Sequence, residues 1–117
     1  HHKFSIMNVI NESNYILLQS TDNKSAGEFI RSVSGQILQN PEENYVVDLL
    51  GFADVNKQNI KQLISIQESI LAEKYSFVIL IQKLKVDEIP DEINVVPTLK
   101  EAEDVIQMEM IERDLGF

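Results

Sequence analysis

Three adjacent acidic pairs, Glu42-Glu43, Asp87-Glu88 and Asp91-Glu92, are the side chains here that come nearest to an acid–base arrangement. A carboxyl group acts as an acid near neutrality only where an apolar pocket or a second carboxylate raises its pKa. These pairs fall in polar connecting segments with no apolar sequence around them, so they read as solvated loop charge. Histidine, whose ordinary pKa lies nearest neutrality, occurs only as His1 and His2. The two open the chain without a methionine and read as the remainder of an expression tag. Setting them aside excludes histidine-dependent triads and histidine metal ligation. The absence of cysteine excludes thiolate sites and disulfides. Gly27, Gly35, Gly51 and Gly116 are too scattered for a phosphate-cradling loop or a dinucleotide fingerprint. The expectation is a chain that is not an enzyme and takes neither cofactor nor metal.

The 117 residues, 44% of them hydrophobic, suffice for one sizeable core. They predict a single domain over residues 3–117. A formal charge of −9 repels nucleic-acid phosphates and anionic lipid, and no segment gathers enough Lys or Arg to reverse it. No apolar run approaches the roughly 20 residues of a membrane span. Partners are therefore expected to exclude nucleic acid and membrane, with the cytoplasm as the expected location.

Periodicity supplies the elements. Residues 4–10 alternate, and 15–18 follow the turn-prone Asn11-Glu12-Ser13-Asn14, which predicts a hairpin. Ala26, Phe29, Ile30, Val33, Ile37 and Leu38 predict a helix over 25–39, ending before Pro41. Residues 45–50 are dense in apolar side chains, as in a central strand covered on both faces. Ile60, Leu63, Ile64, Ile66, Gln67, Ile70 and Leu71 trace a second helix over 56–73 after an Asn56 cap. Strands are predicted at 76–81 and 93–96, joined through 82–94, a connection interrupted by Pro90 that fits at most a stunted helix. A last helix over 98–115 opens on the capping-box sequence Thr98-Leu99-Lys100-Glu101. Its core face is Leu99, Ala102, Val105, Ile106, Met110 and Leu115, and Gly116 suits a left-handed position past its end. The order predicts an α/β fold with a mixed four- to five-stranded sheet and about three helices.

The segment Val95-Val96-Pro97-Thr98-Leu99-Lys100-Glu101-Ala102-Glu103-Asp104-Val105, with Ile111-Glu112-Arg113-Asp114-Leu115, resembles the tail of small STAS proteins of the Bacteroidota, relatives of the anti-sigma factor antagonists. Val47-Asp48-Leu49 is similar to their third strand, and the element order matches over essentially the whole length. The chain looks most like a divergent, shortened branch whose members carry a ribonuclease Z label that these residues do not support. The resemblance implies a STAS-like sheet in which the helix between the last two strands is reduced. It also implies a regulatory Asp-Ser-Ser-Gly turn opening the second helix. That turn falls on Asn56-Lys57-Gln58-Asn59, which has no hydroxyl to phosphorylate.

Two classes of function follow. The resemblance implies a non-enzymatic interaction module whose protein partner is a sigma-regulatory kinase-like protein or an enzyme. Its partner-binding residues are then Phe52, Asp54, Asn56, Lys57 and Asn59, where a helix amino terminus offers unpaired N–H donors. The alternatives are an accessory or structural partner of another cytoplasmic enzyme, or a small-ligand-binding module for which Phe52 is the one hint, a lone aromatic being more often a core residue. A metal-independent hydrolase or nuclease is disfavoured by the missing histidine and the phosphate-repelling charge. The carboxylates Glu103, Asp104, Glu109, Glu112 and Asp114 read as a solvated helix face, with recognition of a basic partner as the alternative.

Overall fold

Side-chain alternation decides which side of the sheet each strand residue serves. The computed structural model describes residues 7–22, 25–82 and 93–116. Its elements are β1 (Met7–Asn11), β2 (Ile16–Ser20), α1 (Ala26–Gln39), β3 (Tyr45–Asp48), α2 (Lys57–Ala72), β4 (Phe77–Leu80), β5 (Val95–Val96) and α3 (Leu99–Asp114). The fold is α/β, with a mixed sheet in the order β1-β2-β3-β4-β5. β1 runs antiparallel to β2, and the other neighbouring strands are parallel. As the composition of 45–50 predicts, β3 is central, with Tyr45, Val46 and Val47 all fully buried.

Register aligns Leu18 with Val47 and Ile79, and Leu17 with Val46 and Val78. The first set joins a core with Phe29, Ile30 and Val33 of α1 and Ile60, Leu63 and Ile70 of α2. The second joins Tyr15, Leu80, and Ala102 and Ile106 of α3. Both helical crossovers, β2 to β3 and β3 to β4, step the same way along the sheet. Right-handed connections therefore place α1 and α2 together on one face. α3 covers the opposite face.

Caps fix the helix starts. Ser25 Oγ accepts the Glu28 N–H at 3.2 Å, and Thr98 Oγ1 accepts the Glu101 N–H at 3.2 Å while its hydroxyl donates to Glu101 Oε2 at 2.9 Å. Gly116 adopts φ +84°, the left-handed turn expected of it. In the hairpin the Glu12 N–H donates to the Tyr15 carbonyl at 2.9 Å. Residues 4–6 of the expected first strand lie outside the described residues. So do Asp87, Glu88, Asp91, Glu92 and most of the 82–94 connection.

Three residues assigned to core stripes are corrected. Leu38 is 79% exposed, Leu71 44% and Leu115 66%. Leu38 and Leu71 each follow a buried residue, Ile37 and Ile70, and one step of about 100° carries them off the narrow buried stripe. Leu115 is the C-cap residue of α3. Conversely, Gln67 is buried for a polar reason, its Oε1 accepting the Asn94 N–H at 3.0 Å ahead of β5.

Candidate interaction site at the carboxyl end of the sheet

Asp48, the last residue of β3, holds the turn that follows it. Its Oδ1 accepts the Leu50 N–H at 2.9 Å, and its Oδ2 accepts from Gln19 Nε2 of β2 at 3.0 Å. The Leu49 N–H donates to the Leu80 carbonyl at 3.0 Å, and the Phe52 N–H to the Leu49 carbonyl at 3.1 Å. The chain thereby turns off the sheet within four residues and aims Phe52 back inward. There the Phe52 ring stacks on Phe29 of α1, with centroids 5.5 Å apart.

α2 then opens on a reciprocal cap. The Asn59 N–H donates to Asn56 Oδ1 at 3.0 Å, and the Asn56 N–H to Asn59 Oδ1 at 3.0 Å. This is the capping-box exchange made by two asparagines. The cap by Asn56 is the one expected from its residue type, whereas the partner role of Asn59 was missed. The three-residue spacing of the capping box was the available signal.

The five predicted binding residues therefore separate. Phe52 and Asn59 are buried, 7% and 6% exposed, so each supports the loop from inside and offers little surface. Asp54, Asn56 and Lys57 are exposed, together with Gly51, Ala53 and Gln58. Beside them a cleft of about 250 Å³ opens at the carboxyl ends of β3 and β4, lined chiefly by Leu49, Leu50, Phe52, Val55, Ile81 and Gln82. Parallel sheets commonly bind ligands at this edge. Among the described residues the lining supplies apolar walls and one amide, with no titratable group for proton transfer.

The acidic face read from α3 is also corrected, because two of its members bond back to the body of the fold: Glu109 is half-buried, and Glu103, although exposed, accepts from a buried tyrosine. The Tyr15 hydroxyl donates to Glu103 Oε2 at 2.6 Å, the Ser76 hydroxyl to Glu109 Oε1 at 2.6 Å, and Asn94 Nδ2 to Glu109 Oε2 at 3.2 Å. Burial and the neighbouring Glu103 carboxylate push the Tyr15 phenol well above its ordinary pKa. Asp104, Glu112 and Asp114 are exposed, as is Glu103 beside its hydrogen bond to Tyr15. Among the described residues no group of three or more His, Cys, Asp or Glu is placed to hold a metal ion, and no helix is long and apolar enough to cross a membrane.

No protein-family model and no curated protein matches this chain.

Proposed function

We propose that this protein is a non-enzymatic binding module that presents the loop after β3 and the first turn of α2 to another protein. One observation carries the reading: the loop is clamped from within by Asp48, Phe52 and Asn59 while Asp54, Asn56 and Lys57 face solvent. A surface ordered before binding loses less conformational freedom on association. The resemblance to STAS proteins supports an anti-sigma factor antagonist-like role in the cytoplasm, with a sigma-regulatory kinase-like protein as partner. The exchange between Asn56 and Asn59 keeps the helix-opening geometry of such a turn without a phosphate acceptor, so regulation by phosphorylation does not operate there.

The free N–H groups of the first turn and the Lys57 ammonium together suit acidic side chains on the partner. Affinity capture from the native host, followed by titration calorimetry with the captured protein, tests this. Lys57→Glu is expected to weaken association by about 1–3 kcal/mol without changing stability. Unchanged affinity for Lys57→Glu and for Asp54→Lys would remove this surface from the reading.

A second reading rests on the apolar cleft beside Phe52, which suits a small apolar ligand. A thermal-shift screen with small apolar compounds separates the two, because a cleft ligand raises Tm in the absence of any protein partner.

A further inference from the structure

Two opposite sides of α3 are apolar. Ala102 and Ile106 face the sheet and are 0% and 1% exposed. About half a turn around the helix, Met108, Ile111 and Leu115 recur at i, i+3 and i+7, and are 60%, 52% and 66% exposed. A helix with only one buried side carries polar residues outward, whereas anchors at this spacing are how a helix meets a partner helix or groove. The surroundings of the stripe are acidic. Asp104, Glu112 and Asp114 are exposed around it, and Lys100 is already paired with Asp104 at 2.8 Å. Arg113 supplies no charge to this side, since it is half-buried and its Nη2 donates to Asn44 Oδ1 at 3.4 Å.

We propose that the outer face of α3 docks a cationic amphipathic helix of a partner protein. Its apolar side lies along Met108, Ile111 and Leu115, and its Lys or Arg residues meet Glu112 and Asp114. Charge selects this occupant. A second copy of the chain would lay the acidic surroundings of this stripe, Asp104, Glu112 and Asp114, over the same acidic surroundings, in a protein already at −9, and an anionic lipid surface is repelled in the same way. The face lies across the sheet from α1 and α2. It is therefore independent of the loop assigned above to the first partner, and either surface can fail without the other.

The chain contains no tryptophan, so one Trp on the apolar side of a synthetic Leu/Lys amphipathic peptide reports docking through its own fluorescence. Binding to the full chain is expected to shift the Trp emission to the blue, and to weaken about tenfold or more between low salt and about 0.5 M salt. Ile111→Ser with Leu115→Ser, and separately Glu112→Lys with Asp114→Lys, are each expected to lower affinity about tenfold or more. Circular dichroism and the denaturation midpoint should be unchanged in both, because these side chains are exposed. Glu73→Lys, an exposed charge at the end of α2, should bind as wild type. Equal losses in Glu73→Lys would reduce the binding to general charge attraction and overturn the proposal. So would a dimer in sedimentation equilibrium that Ile111→Ser dissolves, since the face then belongs to a second copy.

Discussion

The two ends of the parallel strands are built from opposite chemistry. At the amino end, polar groups interlock. Asn44 Nδ2 donates to the Asn14 carbonyl at 2.9 Å, Asn44 Oδ1 accepts the Ser76 N–H at 2.7 Å, and the Ser76 hydroxyl and Asn94 amide converge on Glu109. Asn44 and Ser76 are 7% and 0% exposed, so their hydrogen bonds form in a setting where leaving them unmade is expensive. At the carboxyl end the chain turns outward over one aromatic stack and one asparagine pair, and leaves an apolar cleft beside exposed polar residues. The comparison shows a sheet tied by a buried polar network at one end and, apart from the single Asp48–Gln19 bond between β2 and β3, left to present surface at the other. Binding edges are commonly carried on loops held by a rigid scaffold.

The largest effect is expected from Phe52→Ala. It removes the aromatic that anchors the carboxyl-end loop, and should destabilise by about 3–5 kcal/mol in chemical denaturation. A loss below about 1 kcal/mol would mean that Asp48 and Asn59 hold the loop without it.

Asn44→Ala attacks the other end. It orphans the buried Ser76 N–H, at a cost of about 1–3 kcal/mol, and removes a donor from the carbonyl of the exposed Asn14. Hydrogen exchange should show the damage at the starts of β3 and β4 while the loop after β3 keeps its protection. Uniform loss of protection would break the contrast between the ends. Asn56→Ala, which removes half of the reciprocal cap, should cost about 0.5–2 kcal/mol, and local exchange should rise in the first turn of α2.

The smallest effect is a pH dependence at the amino end. Burial, with the Glu43 charge second, pushes the Tyr45 phenol from 10.0 up to about 12. The folded state thus favours the protonated phenol. This contribution is fully present below pH 10.0 and is lost as pH rises from there through about 12. Tyr15 acts in the same direction. Denaturant midpoints measured from pH 9 upward should fall less steeply in Tyr45→Phe than in wild type. Parallel curves would show that ionisation of this residue does not govern the alkaline loss.

Much of the fold was legible because it rests on local pattern. The stripe Ala26, Phe29, Ile30, Val33 and Ile37, the dense run at 45–50 and the Thr98 cap each declare an element within a few residues of sequence. The errors came where local pattern meets tertiary geometry. Leu38 has the right residue type for a stripe one position too far round the helix. Glu103 and Glu109 look like solvent charges until strands distant in sequence bring Tyr15, Ser76 and Asn94 to them. At the candidate site the cap by Asn56 was readable from residue type. The reciprocal role of Asn59 was signalled only by its three-residue spacing from Asn56, and the inward turn of Phe52 only by the general tendency of a lone aromatic toward the core, since it depends on Phe29 of a different helix.

Because the strands lie side by side in the order in which they occur in the chain, each new strand has its docking template already formed when it arrives. Among the described strands none must wait for a later one to be inserted between two earlier ones. Assembly can therefore proceed from the amino-terminal hairpin outward, one strand and one helix at a time, in step with a chain emerging from the ribosome at about 5–20 residues per second. The outer edge of β1 stays open throughout, and the other open edge is always that of the newest strand, so during synthesis two short strand edges face neighbouring chains at any moment.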